Sequence, residues 1–176
     1  MLFTETELKG VFILDLERRE DERGFFARTW CTEELARHGL VNLLSQSSIS
    51  YNRKKGTLRG MHYQAAPRAE EKVVSVVRGA IYDVVVDLRP ASPTFRSWVA
   101  AELTSENGRM LYIPAGCAHG FQTLQDDAVV DYKISTPYAP GYARGVRWND
   151  PAFKIRWPEG DRLLSERDAT YPDFSS

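Results

Sequence analysis

The 176-residue chain is poor in cysteine. Cys31 and Cys117 form no CxxC pair and cannot make a disulfide framework. That points to a reducing compartment, so a cytoplasmic location is expected. There is no polybasic run: 23 basic residues face 24 acidic ones, for a formal charge of −1. Nucleic acid is therefore not expected as a partner. Apolar runs such as Ala80–Ile81 and Val84–Val86 are far too short to cross a bilayer. The start, MLFTETELKG, has neither the basic head nor the unbroken apolar stretch of a signal peptide. No internal repeat, low-complexity tract or linker interrupts the chain. With 43% hydrophobic residues, one domain over 1–176 with a substantial core is expected.

What is present is mostly strand signal. Val11–Glu17 partly alternates, while Lys72–Val77 and Ile81–Leu88 are rich in β-branched residues. Trp98–Leu103, Met110–Ile113 and Val129–Ile134 read the same way. Turn signals separate them, among them Arg23-Gly24, Lys55-Gly56, Arg78-Gly79, Asn107-Gly108 and Pro114-Ala-Gly116. Many short strands at this spacing predict an all-β barrel or sandwich. One helix is predicted near the start, with Thr32 capping Glu33–His38 and Gly39 ending it. After Pro151 the chain reads as turns and short helices packed on the barrel.

Only three histidines occur, so each is informative. His38, at the end of the predicted helix, reads as a surface residue favoured by the helix dipole. His62 and His119 lie instead in dense, glycine-punctuated stretches, TLRGMHYQ and IPAGCAHGF. Gly56, His62, Gln64, Lys72 and Gly79 fall at the spacing of the first cupin motif, and Gly108, Pro114, Gly116 and His119 at that of the second. The chain thus resembles the cupins, which implies a double-stranded β-barrel of jelly-roll type with short peripheral helices. In metal-binding cupins the first motif supplies two histidines and a glutamate; here Gln64 and Lys72 stand in two of those places. An ammonium brings no lone pair and repels a divalent ion, so no metal and no cofactor are expected. The same charge suits stabilisation of a developing oxyanion.

Six segments narrow the resemblance: DERGFF, GTLRGMHYQ, YDVVVDLRPASPTF, IPAGCAHGF, GVRWNDP with its following WP, and SERD. In this order and spacing, from Asp21 to Asp168, they resemble the dTDP-4-dehydrorhamnose 3,5-epimerase family. That family inverts carbons beside a ketone, which needs a base for a weakly acidic C–H and a stabiliser for the enolate. A neutral imidazole suits the first task, so His62 is the expected base. The resemblance pairs it with Asp168; Asp83, which interrupts an apolar strand, is a second candidate partner. Lys72 is expected to face the enolate oxygen. Tyr132 matches the family's acid, which returns a proton to the opposite face. For substrate binding the resemblance implies Arg23, Gln46, Arg59 and Arg167, with His119 on the sugar or its ketone and Tyr138 stacked on thymine. It also implies a homodimer whose N-terminal strand and Arg23 serve the neighbouring site.

The chain departs from the family in four places. The loop before Arg59, QSSISYNRKKGTL, is about one residue longer; Ser48, expected to bind substrate, stands for an asparagine; Arg28 and Ala143 each stand for a substrate-contacting glutamate. These put the nucleotide and the far end of the sugar in question, not the reaction type. The expected activity is inversion of C3 and C5 of dTDP-4-keto-6-deoxy-D-glucose. The alternatives are a 3- or 5-epimerase of another 4-keto sugar nucleotide, a metal-dependent cupin oxygenase or isomerase, and a non-catalytic sugar-binding cupin.

Overall fold

The computed structural model describes residues 1–175, and most of its ordered backbone lies in antiparallel strands. In chain order, β1 (Leu2–Glu5) and β2 (Phe12–Asp15) form a hairpin, and β3 (Arg19–Asp21) with β4 (Gly24–Phe26) forms a second, separate one. Helix α1 (Thr32–Arg37) precedes β5 (Gln46–Asn52), β6 (Leu58–Gln64), β7 (Lys72–Arg78) and β8 (Ala80–Asp87). Then follow β9 (Trp98–Thr104), β10 (Met110–Ile113), β11 (Cys117–Thr123), β12 (Ala128–Ile134), β13 (Ala143–Gly145) and α2 (Glu166–Ala169). Their spatial orders are β1-β2-β10-β7-β12-β5 in one sheet and β13-β6-β11-β8-β9 in the other. Among the described residues, no helix is long and apolar enough to cross a membrane.

The two sheets pack face to face because their strands alternate. Val74, Val76, Leu111, Ile113 and Val130 from the six-stranded sheet join Ile81, Val85, Leu103 and Phe121 from the five-stranded sheet in one buried cluster. The intervening residues face outward and are also buried. Val73, Met110 and Tyr112 pack under Leu35 of α1, and Met61, Val84, Val86 and Ala118 pack under Val146 and Phe153 of the C-terminal segment. Strands buried on both sides read as continuous apolar runs, which is why β7 and β8 are so rich in valine. This is the jelly-roll barrel with short peripheral helices that the motifs imply.

Two local expectations need correction. Thr32 is the first residue of α1, not its cap; Cys31 is the N-cap, without a side-chain bond to the helix end. A buried helix face, Leu35 on the core, holds this short helix where capping does not. Residues Gln46–Asn52, read as part of a loop, are strand β5, paired with β12 through all seven residues. Their serines hide the strand because β5 is a sheet edge, where polar side chains are tolerated. His38 is exposed as expected, but its ring stacks on Phe3 at 4.0 Å.

Candidate active site

Between the sheets lies a cavity of about 420 Å³. The five-stranded sheet contributes Arg59 and His62 from β6 and His119 and Phe121 from β11. From the six-stranded sheet come Gln46, Ser48, Ile49 and Ser50 on β5, Lys72 on β7, and Tyr132 and Ile134 on β12. Glu70, Tyr138 and Asp168 close the wall.

Local backbone geometry explains several of these positions. Arg59 and His62 are three apart, so regular alternation would send them to opposite faces. The ladder between β6 and β11 shifts, however: His62 pairs with His119, and Arg59 with Phe121. Three residues of β6 thus span two of β11, a bulge that turns Arg59 back into the cavity. Close backbone approach requires glycine there. A Cβ on Gly60 would lie 2.5 Å from the Gly120 Cα. On the facing sheet, Tyr132 pairs with Val74 and Ile134 with Lys72. Lys72 and Tyr132 are therefore diagonal neighbours on the inner face.

His62 has a single well-placed partner. Its Nε2 lies 2.7 Å from Asp168 Oδ1, and the other carboxylate oxygen accepts the Gly60 N–H at 3.2 Å. The sequence SERD delivers that carboxylate. The Ser165 hydroxyl caps α2 by accepting the Asp168 N–H at 3.1 Å, which fixes the turn. Burial pushes the Asp168 carboxyl upward, but the His62, Gly60 and Ser165 bonds outweigh it and hold the pKa below the usual value. An ionised carboxylate accepts from Nε2–H, and in the neutral ring that leaves the Nδ1 lone pair unshared. The His62 side chain is 41% exposed against 6% for Asp168, so the imidazole is open to the cavity while the carboxylate touches its wall from a nearly buried position.

The alternative partner, Asp83, is occupied elsewhere. Its Oδ1 lies 2.6 Å from His119 Nε2, with both side chains buried. His119 also meets Tyr132 edge-on, ring centroids 6.1 Å apart. Burial and the nearby Asp83 charge push the Tyr132 hydroxyl upward against the opposing pull of Arg59, so it stays protonated. Lys72 opens β7 but is only 7% exposed, and its Nζ lies 2.6 Å from Glu70 Oε1. Gln64 is committed to structure. Its amide donates to the Arg68 carbonyl at 2.9 Å and accepts from the Ala139 N–H at 2.6 Å. Among the described residues, no three His, Cys, Asp or Glu side chains converge as a metal site would require.

The binding residues divide. Gln46, Ser48, Arg59, His119 and Tyr138 line the cavity, and the Gln46 side chain accepts the Tyr138 backbone N–H. Arg167 lines an adjoining pocket of about 120 Å³ with Tyr138, Ala143 and Arg144, a continuation that shares His62 and Glu70. Arg23 does not join them. It sits at the exposed tip of the β3–β4 hairpin, 2.6 Å from Asp21. Arg28 is also elsewhere, 2.6 Å from Glu34. Sequence reasoning missed Glu70 and Arg144. Glu70 precedes β7, so alternation along the strand does not fix its direction.

The His62 imidazole and the Tyr132 phenol thus line one cavity from opposite sheets, with the buried Lys72 ammonium beside them. The family model described as dTDP-4-dehydrorhamnose 3,5-epimerase matches residues 5–176. A relative of that name from Sinorhizobium fredii is 41% identical, over 99% of this chain and 90% of its own. The chain belongs to the dTDP-4-dehydrorhamnose 3,5-epimerase family. Two solved structures share its fold closely. The Bacillus anthracis dTDP-4-dehydrorhamnose 3,5-epimerase, with TDP and PPi bound, superposes with a TM-score of 0.94 at 38% identity, covering 98% and 99% of the two chains. The Legionella pneumophila enzyme, in complex with dTDP-4-keto-L-rhamnose, gives 0.90 at 34% identity, covering 99% of each. Family membership makes this chain an isomerase of the sugar-nucleotide epimerase type.

Proposed function

We propose that the protein inverts C3 and C5 of dTDP-4-keto-6-deoxy-D-glucose, giving dTDP-4-keto-L-rhamnose, by enolisation without a metal. The observation that carries this reading is the opposition of His62 on one sheet, with Asp168 of α2 behind it, to Tyr132 on the other. Facing sheets stand about 10 Å apart, room for one sugar ring between base and acid. His62 Nδ1 takes the proton beside the ketone, and the electron pair moves onto the carbonyl oxygen. Lys72 stabilises that oxygen by charge, and His119 hydrogen-bonds the sugar. Tyr132 then gives its proton to the opposite face, which inverts the carbon. Asp168 keeps the imidazole oriented and favours the imidazolium.

The diphosphate suits Arg59 and Arg167, and the exposed Tyr138 ring, between the two pockets, suits the thymine base. Gln46 and Ser48 on the β5 edge offer hydrogen bonds to the rest of the ligand. The whole chain acts as one catalytic domain, and two free cysteines, Cys117 buried, fit a reducing cytoplasm.

The working assembly is a homodimer. The β3–β4 hairpin exposes Phe25 and Phe26, 52% and 74% accessible, beside Arg23 and away from its own cavity. A second copy would cover these rings and receive Arg23 at its site, the symmetric arrangement commonest among oligomers. Light scattering is expected to give twice the 20.0 kDa chain mass, and a fully active monomer would refute it.

The deciding experiment is proton–deuterium exchange with dTDP-4-keto-6-deoxyglucose in D₂O, followed by NMR. Deuterium at both C3 and C5 with formation of the L-rhamno product is the expected result. Exchange at one carbon alone would make the protein a monoepimerase, and no exchange would overturn the reading.

A further inference from the structure

The connection between β6 and β7 is pinned along its length. Gln64 donates to the Arg68 carbonyl at 2.9 Å, and the Thr136 hydroxyl donates to the Ala69 carbonyl at 2.9 Å. The Ser135 hydroxyl donates to the Glu71 carboxylate at 2.6 Å and accepts the Glu71 N–H at 2.9 Å. Residues on both sides of Glu70 are thereby fixed to neighbouring elements. Glu70 itself turns inward, lines the cavity beside His62 and Lys72, and meets Lys72 Nζ at 2.6 Å. The two side chains are 11% and 7% exposed.

A lysine side chain has four rotatable bonds, and an ammonium gains catalytic value only when held where charge develops. A buried ammonium also requires a partner of opposite charge. We infer that Glu70 is a positioning residue: its carboxylate, anchored by its pinned neighbours, holds the Lys72 ammonium at the cavity wall facing the enolate oxygen. Lys72 has three N–H donors, so it satisfies Glu70 and the oxyanion together. The pair forms before substrate arrives, so the donor needs no reorganisation during the reaction. This inference rests on the enolate reading of Lys72 given above.

The test is a double-mutant cycle on kcat and KM, with Glu70→Ala, Lys72→Met and the double variant. Glu70→Ala is expected to lower kcat about 10- to 10²-fold, the scale of a misplaced catalytic group, with KM changed less than about threefold. In the Lys72→Met background the same substitution should change kcat by less than about twofold. Glu70→Gln retains volume and an acceptor oxygen, so it should recover part of the rate and guards against a folding artefact. A loss of equal size in both backgrounds, with Lys72→Met itself impaired, overturns the positioning role alone. A raised KM with kcat unchanged also overturns it, because Glu70 would then bind substrate directly. A fully active Lys72→Met variant overturns the enolate reading of Lys72 and this inference with it.

Discussion

Replacing Tyr132 with phenylalanine removes one hydroxyl and leaves its ring packed on the core and edge-on to His119. The fold should therefore survive, and any kinetic change reports the proton that the hydroxyl carries. Base, anchor and cation are untouched, since His62, Asp168 and Lys72 stand on other elements. The enolate can still form, and His62 can exchange its proton with solvent because its side chain is 41% exposed. The imidazolium returns a deuteron to the face from which the proton left. Deuterium should thus enter the substrate with its original configuration. Inversion should fall by roughly 10²–10⁴, the contribution of a general acid, or about 3–5 kcal/mol. Water entering the space of the lost hydroxyl sets a floor to that fall. The assay pairs deuterium incorporation by NMR with product formation coupled to a 4-ketoreductase. Equal losses of exchange and inversion would show that Tyr132 helps to form the enolate, and the assignment of opposite faces to base and acid would be wrong.

Asp168→Asn should behave in the opposite manner: exchange and inversion fall together by about 10²–10⁴, because the base itself is misoriented. Exchange near the wild-type rate in that variant would detach His62 from its partner. Dialysis against a chelator should leave turnover unchanged, since Lys72 and Gln64 occupy two of the positions a cupin metal would need; activity lost and then restored by one divalent ion would refute this. Asp87 provides a prediction about stability. Burial pushes this carboxyl upward, but hydrogen bonds from Arg89, Ser92 and Thr94 bring it down to about 2. A depressed native pKa stabilises above the unfolded value and loses that effect as pH falls towards 2. Asp87→Asn should therefore cost about 2 kcal/mol at pH 7, or roughly 4–8 °C in Tm, with the gap narrowing below about pH 4. A gap that stays constant down to pH 2.5 in thermal melts would mean that the carboxylate charge is not its source.

The sequence alone determined the architecture and the reaction class. Valine-rich runs such as Lys72–Val77 and Ile81–Leu88 suit inner strands buried on both faces, and the cupin motifs narrowed barrel or sandwich to the jelly roll. His62 and Lys72 could be singled out because the cupin motif carries residue type and spacing together, and Tyr132 through the family resemblance; the structure brings all three to one cavity. Only the tertiary structure decided between Asp168 and Asp83. Either carboxylate could serve an imidazole chemically, and the choice depends on two contacts, His62–Asp168 across 106 residues and His119–Asp83 across 36. Strand β5 was hidden because an edge strand needs no apolar pattern. Arg59 faces the cavity through a bulge, an offset of one residue that alternation along the chain cannot reveal. Glu70 lies two residues before Lys72, but its inward turn follows from the hydrogen bonds that tie its neighbours Ala69 and Glu71 to Thr136 and Ser135, which only folding brings near. Sequence fixes which groups a chain carries; the facing of two sheets fixes which side of a sugar each group can reach.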